Sequence, residues 1–101
     1  MKHRLTEASG VIRVALEGSL NFAANDDFQL LLDSLIKTKP RQVIFELAHL
    51  TAIDSVGLGL LHIACEDLSG QGAKVSLAGP AGSVARLLEL TEANKMFEIL
   101  P

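Results

Sequence analysis

Hydrophobic and polar positions change period several times along the chain, and each change marks a new element. Val11-Ile12-Arg13-Val14-Ala15-Leu16 is apolar and rich in strand-favouring residues, with one arginine at a solvent-facing position. It follows Gly10 and stops at Gly18, and predicts a strand. His3 to Ala8 is a weaker pattern, an edge strand that would pair with it through a turn at Ser9-Gly10. From Asn21 to Thr38 the period becomes helical: Phe28, Leu31, Leu32, Leu35 and Ile36 form one apolar stripe. Asp26 and Asp27 near its start and Lys37 and Lys39 at its end suit the helix dipole. Pro40 bars continuation.

Gln42 to Leu47, centred on Val43-Ile44-Phe45, is a continuous apolar run that reads as a buried central strand. Ala48 to Ile53 reads as a connector, and Asp54-Ser55-Val56-Gly57 introduces a second helix over Val56 to Ser69, closed by Gly70-Gln71-Gly72. Lys74 to Ala78 is a third buried strand broken by Gly79-Pro80, and Ser83 to Leu90 is a third helix with Val84, Leu87 and Leu88 on one face. Met96 to Leu100 adds a short final strand. Strands alternating with helices predict an α/β fold: a small mixed, largely parallel sheet packed with three to four helices. The 101 residues suit one domain spanning 1–101, without repeat or linker.

Composition narrows the partners. Four Phe with no Trp or Tyr imply an aliphatic core and give nucleic-acid bases little to stack on. Net charge is −3, and the basic residues scatter from Lys2 to Lys95 without a stripe, which points away from nucleic acid and anionic membrane. The single Cys65 has no internal partner, which suits a reducing, cytoplasmic setting. No apolar run approaches the roughly 18–20 residues of a membrane span, so membrane insertion is not expected.

Catalytic patterns fail one by one. Gly57-Leu58-Gly59-Leu60-Leu61-His62 opens a helix, but His62 stands where the dinucleotide fingerprint needs its third glycine. No Walker loop occurs. His62 and Cys65 share a helix face with His49 near in sequence, yet Cys65 continues the apolar face of Leu58, Leu61, Ala64 and Leu68 and reads as a small core residue. Asp54 and Ser55 are adjacent, which is no nucleophile–base arrangement. Neither metal, cofactor nor enzymatic activity is expected. The same Asp54-Ser55 pair is a strong helix cap, because side-chain oxygens accept hydrogen bonds from the unpaired N–H groups of a first turn. Such an end also tolerates a phosphate. Gly57 and Gly59 would let another protein's backbone come close. Leu60 and Ile63 give this helix more apolar surface than one core stripe needs.

At these residues the chain resembles the STAS domain family, in particular the anti-sigma-factor antagonists. The resemblance runs through Phe45-Glu46-Leu47, the spaced aliphatics Leu50 and Ile53, and Asp54-Ser55-Val56-Gly57-Leu58-Gly59. Leu16-Glu17-Gly18-Ser19-Leu20-Asn21 resembles the family's turn before the first helix, and Gly72 to Gly79 and Val84 to Thr91 match its later strand and helix. It implies a STAS fold and a protein that binds a serine kinase of the histidine-kinase-like ATPase type, itself the anti-sigma factor. It further implies release when a serine at the start of the second helix is phosphorylated, and a protein phosphatase that resets the switch. Carried onto this sequence, the acceptor is Ser55, and Asn21, Asp54, Ser55, Val56, Gly57, Leu58 and Leu60 are the expected partner-binding residues. Val56 stands where the family can carry a second hydroxyl, and Asn21 where it usually carries an acid. Some STAS proteins instead serve as unphosphorylated interaction subunits of lipid-transport ATPases, which is the alternative expectation.

Overall fold

The structure, a computed structural model, describes residues 1–101. Five strands form one sheet in the order β1-β2-β3-β4-β5, with β1 Lys2–Ala8, β2 Val11–Leu20, β3 Gln42–Ile53, β4 Lys74–Ala78 and β5 Glu98–Leu100. Only the β1–β2 hairpin is antiparallel; β2, β3, β4 and β5 run parallel. The crossovers are made by α1 Asn25–Thr38, α2 Ser55–Gly70 and α3 Gly82–Leu90, with short 3-10 turns at Phe22–Ala24 and Ala93–Lys95. This is the expected mixed, mainly parallel α/β sheet with three helices.

The hairpin turns at Ser9 and Gly10, whose φ values of 54° and 81° are the doubly positive combination of a tight two-residue turn. Arg41 fastens this turn to the start of β3: its side chain donates to the Ser9 carbonyl at 2.8 and 3.2 Å, and its backbone N–H to Gly10 O at 2.8 Å. Period-2 alternation sends Ile12, Val14 and Leu16 inward from β2 and leaves Arg13 outside. Val43, Phe45 and Leu47 from β3 and Leu77 from β4 join them. Phe28, Leu31, Leu32 and Leu35 of α1, Leu61, Ala64 and Leu68 of α2, and Val84 and Leu88 of α3 complete one cluster. On the other sheet face Arg13 pairs with Glu46 at 3.2 Å.

Three boundaries differ from the sequence reading by more than two residues, and the last strand is shorter than expected, Glu98–Leu100 instead of Met96–Leu100. β2 continues through Gly18 to Leu20, and β3 continues to Ile53 where a connector was expected. Two register shifts, between Ala15 and Glu17 and between Gly18 and Ser19, put extra residues in β3, so its alternation is lost while its pairing persists. The first helix is preceded by the 3-10 turn, and α1 starts at Asn25 instead of Asn21. α1 ends at Lys39 in left-handed conformation, directly before Pro40. No helix is long and apolar enough to cross a membrane.

Candidate partner-binding site

The long β3 ends beside the end of β2, with Ile53 opposite Leu20, and the chain turns there into α2. Asp54 is extended at φ −114°, ψ −175°, and caps the helix: its Oδ1 accepts the Gly57 N–H at 2.8 Å. The Asp54 carbonyl accepts from Leu58 N at 2.9 Å, and the Asp54 N–H donates to Leu20 O at 3.4 Å. Ser55 is the first residue of α2 and is exposed. Its hydroxyl therefore stands at the positive end of the helix dipole, next to first-turn N–H groups, in reach of solvent.

The expected site residues divide into two groups. Asp54, Ser55 and Val56 are exposed, Asn21 and Leu58 are half-buried, and Val56 presents an apolar side chain beside the serine. Gly57 and Leu60 face inward and are buried in the chain's own fold. Leu60 is buried in the core cluster, where it lies on the same inward face as Ala64 and Leu68. A side chain at Gly57 would meet Leu20 O at 2.0 Å and Leu20 C at 2.8 Å. The backbone that approaches Gly57 is the chain's own. Gly59, by contrast, has open space around it.

Two apolar residues around this turn escaped the sequence assignment. Phe22 is 75 % exposed on the 3-10 turn that packs against α2, just after the Leu20 carbonyl that Gly57 touches. Ile63 is 45 % exposed and continues the stripe of Val56 and Gly59 along the outer face of α2. Their signal was an apolar side chain outside the period of its neighbours: Phe22 does not fall on the Phe28, Leu31, Leu35 stripe, and Ile63 was surplus to the core stripe of α2.

The neighbouring candidates for chemistry are structural. His62 contacts Glu66 Oε1 at 2.5 Å and meets the Phe97 ring edge-on at 6.0 Å. Cys65 packs half-buried against the core, and burial pushes its thiol from an ordinary 9.0 up to about 12. The thiolate is the reactive form, so at pH 8 native Cys65 should alkylate at least about a hundredfold more slowly than in urea. Mass spectrometry after timed iodoacetamide treatment measures this, and equal rates would overturn it. Because the folded thiol keeps its proton where the unfolded one loses it, this group's effect on stability is absent below about 9 and becomes a loss as pH rises to about 12.

A sheet of this order, with a capped, serine-bearing helix start at the end of its central strand, defines a small mixed α/β domain. The chain belongs to the STAS family: the family model for the STAS domain matches residues 3–101. A STAS-domain containing protein of Pseudomonas aeruginosa is 27% identical over 88 residues, covering 87% of this chain and 86% of that protein. The fold is that of an anti-sigma factor antagonist from Mycobacterium paratuberculosis, at TM-score 0.87 and 20% identity over 99% of this chain and 85% of that one. The Bacillus cell fate determinant SpoIIAA, solved in its phosphorylated form, superposes at TM-score 0.72 and 16% identity, over 97% of this chain and 90% of that one.

Proposed function

We propose that this chain is an anti-sigma-factor antagonist-like regulator acting in the cytoplasm as a single STAS domain. It binds a serine kinase of the histidine-kinase-like ATPase type that serves as anti-sigma factor, and phosphorylation of Ser55 releases it. A protein phosphatase restores the binding form. The observation that carries this reading is the exposure of Ser55 at the start of α2, flanked by exposed Val56 and near the protruding Phe22.

The physical case is an asymmetry between folding and docking. A phosphate on Ser55 would sit at the positive end of α2, so the domain itself accommodates the added charge. The same phosphate brings about −1.5 to −2 charges onto a surface that exposes the apolar side chains of Val56 and Phe22 and already carries the Asp54 carboxylate. A partner docked on Val56, Phe22 and Ile63 would have to desolvate that charge or be repelled by it. Asp54 holds the turn in place as the cap, while Asn21 and Leu58 border it.

The test uses the protein with ATP and the kinase encoded beside it. Intact mass is expected to rise by a single phosphate in the native chain and not in Ser55→Ala. Isothermal titration is then expected to show the kinase binding the phosphorylated form at least about a hundredfold more weakly, a loss of about 3 kcal/mol. A stable complex with a transport ATPase, with no phosphate gained, would replace this reading with that of an unphosphorylated interaction subunit.

A further inference from the structure

β1 is an unpaired sheet edge, and its backbone and side chains are self-complementary. In a tight two-residue hairpin the residues flanking the turn form a hydrogen-bonded pair, and such pairs then alternate along the ladder. Here Ala8 is opposite Val11 across the Ser9-Gly10 turn, so Thr6, Arg4 and Lys2 point their N–H and C=O groups at β2. The N–H and C=O groups of His3, Leu5 and Glu7 therefore point away from the sheet, and none has a partner elsewhere in the fold. An edge of this kind is a template for another strand.

The side chains of the same three residues share one sheet face, since strand neighbours two apart project together. That face is the helix side, because Leu5 is opposite Val14 of the core. α1 does not reach far enough to cover it. Leu5 remains 42 % exposed, and an open groove of about 610 Å³ lies between β1 and α1, floored by Leu5 and Leu31 and bordered by Leu30, which is 70 % exposed.

We propose that this edge pairs with the β1 edge of a second copy of the chain, antiparallel, about a two-fold axis through Leu5. Only pairings that set outward-pointing residues against outward-pointing residues can form hydrogen bonds, and centring on Leu5 gives the longest such overlap. Leu5 then faces its own copy, and His3 of each chain faces Glu7 of the other, every pair exchanging N–H···O=C bonds in both directions. An imidazole N–H donates to the Glu7 carboxylate in both halves. Shifting the register by one outward pair, to set Leu5 against His3 or Glu7, loses both the apolar centre and the His3–Glu7 matches. The occupant is a second copy because the edge carries its own complement, with His3 at one end and Glu7 at the other.

Sedimentation equilibrium of the full chain from micromolar to millimolar concentration tests the proposal. The expected result is a reversible monomer–dimer equilibrium. Each single variant, His3→Glu or Glu7→Lys, should weaken it about tenfold or more, because the symmetry breaks two pairs at once. The double variant His3→Glu with Glu7→Lys recreates opposite charges across the axis and should restore dimerisation. Both positions are exposed in the monomer, so far-UV circular dichroism should be unchanged in all variants. A monomer across the whole range, a dimer indifferent to the single variants, or a double variant no better than the singles would overturn it.

Discussion

Gly57→Ala is expected to destabilise the domain by about 3 kcal/mol, although alanine is the better helix former. The new methyl group would lie 2.0 Å from Leu20 O, 2.8 Å from Leu20 C and 3.0 Å from Ile53 Cγ1. The nearest of these atoms is backbone, paired into the β2–β3 ladder, so it has no rotamer by which to retreat. The first turn of α2 must move off β2 instead, straining the Asp54 N–H bond to Leu20 O and the cap that holds Gly57. Gly59, one position removed on the same helix, supplies the control: its Cβ would meet nothing within 4 Å. Gly59→Ala is therefore expected to stabilise by about 0.5–1 kcal/mol, the ordinary gain for relieving a helix-interior glycine. Urea denaturation of both variants measures the difference. Two alanines of the same sign would overturn the claim that Gly57 is a contact between backbones. On the proposed function, Gly57→Ala should also weaken binding of the proposed kinase although Ser55 itself is unchanged, because the turn that presents the serine is displaced.

The interior of this fold was legible where local period and burial coincide. The α1 stripe of Phe28, Leu31, Leu32 and Leu35 is buried as its spacing requires, and Pro40 ends the chain's first helix where expected. The apolar run Val43-Ile44-Phe45 is the central strand. What the pattern hid was the rest of β3. Leu47, Leu50 and Ile53 recur every third residue, which is neither strand nor helix period. The register shifts against β2 explain that spacing, since each extra residue resets which face the next side chain joins. A bulge depends on what the partner strand does, and the partner lies far away in sequence.

The site was legible to the same depth. Asp54 is the cap that its position before an apolar helix predicts, and Ser55 follows it into solvent. Gly57 was read with the correct physics, and the backbone it meets in this fold is the chain's own. A missing side chain permits close approach, but the sequence does not say whose backbone approaches. Leu60 and Ile63 looked alike as surplus apolar residues on one helix, yet one is buried and the other 45 % exposed. Their fates are decided by where the 3-10 turn and α1 pack on α2, and those contacts lie outside any window of local sequence. Phe22 belongs to the same class: a large ring left in solvent is informative only once every other Phe has been placed in the core or shown to be covered.

Phe45→Ala is expected to remove about 4 kcal/mol of stability, a large share of the roughly 5–15 kcal/mol that such a domain has. Phe45 is fully buried in β3, the central strand, with its ring 6.2 Å from that of Phe28 at an interplanar angle of 30°. It thus joins the sheet to α1, and its truncation would leave a cavity beside the Phe28 ring. At this chain length the melting temperature should fall by roughly 20 °C. Glu46→Ala, on the next residue and the opposite face, is the comparison. Its pair with Arg13 spans 3.2 Å, but the two side chains are 39% and 53% exposed, so the change should cost less than about 1 kcal/mol. Calorimetry on the two variants separates a core held by shape and burial from one held by surface charge. On the proposed function, binding of the proposed kinase separates them again from the proposed switch at Ser55. Phe45→Ala should reduce binding only in proportion to the fraction unfolded, and phosphorylated Ser55 should reduce it with the melting temperature nearly unchanged. If a fully folded Phe45→Ala still lost the partner, the outer face of α2 would depend on the core beneath it, and the surface at Ser55 could not be treated as a separable device.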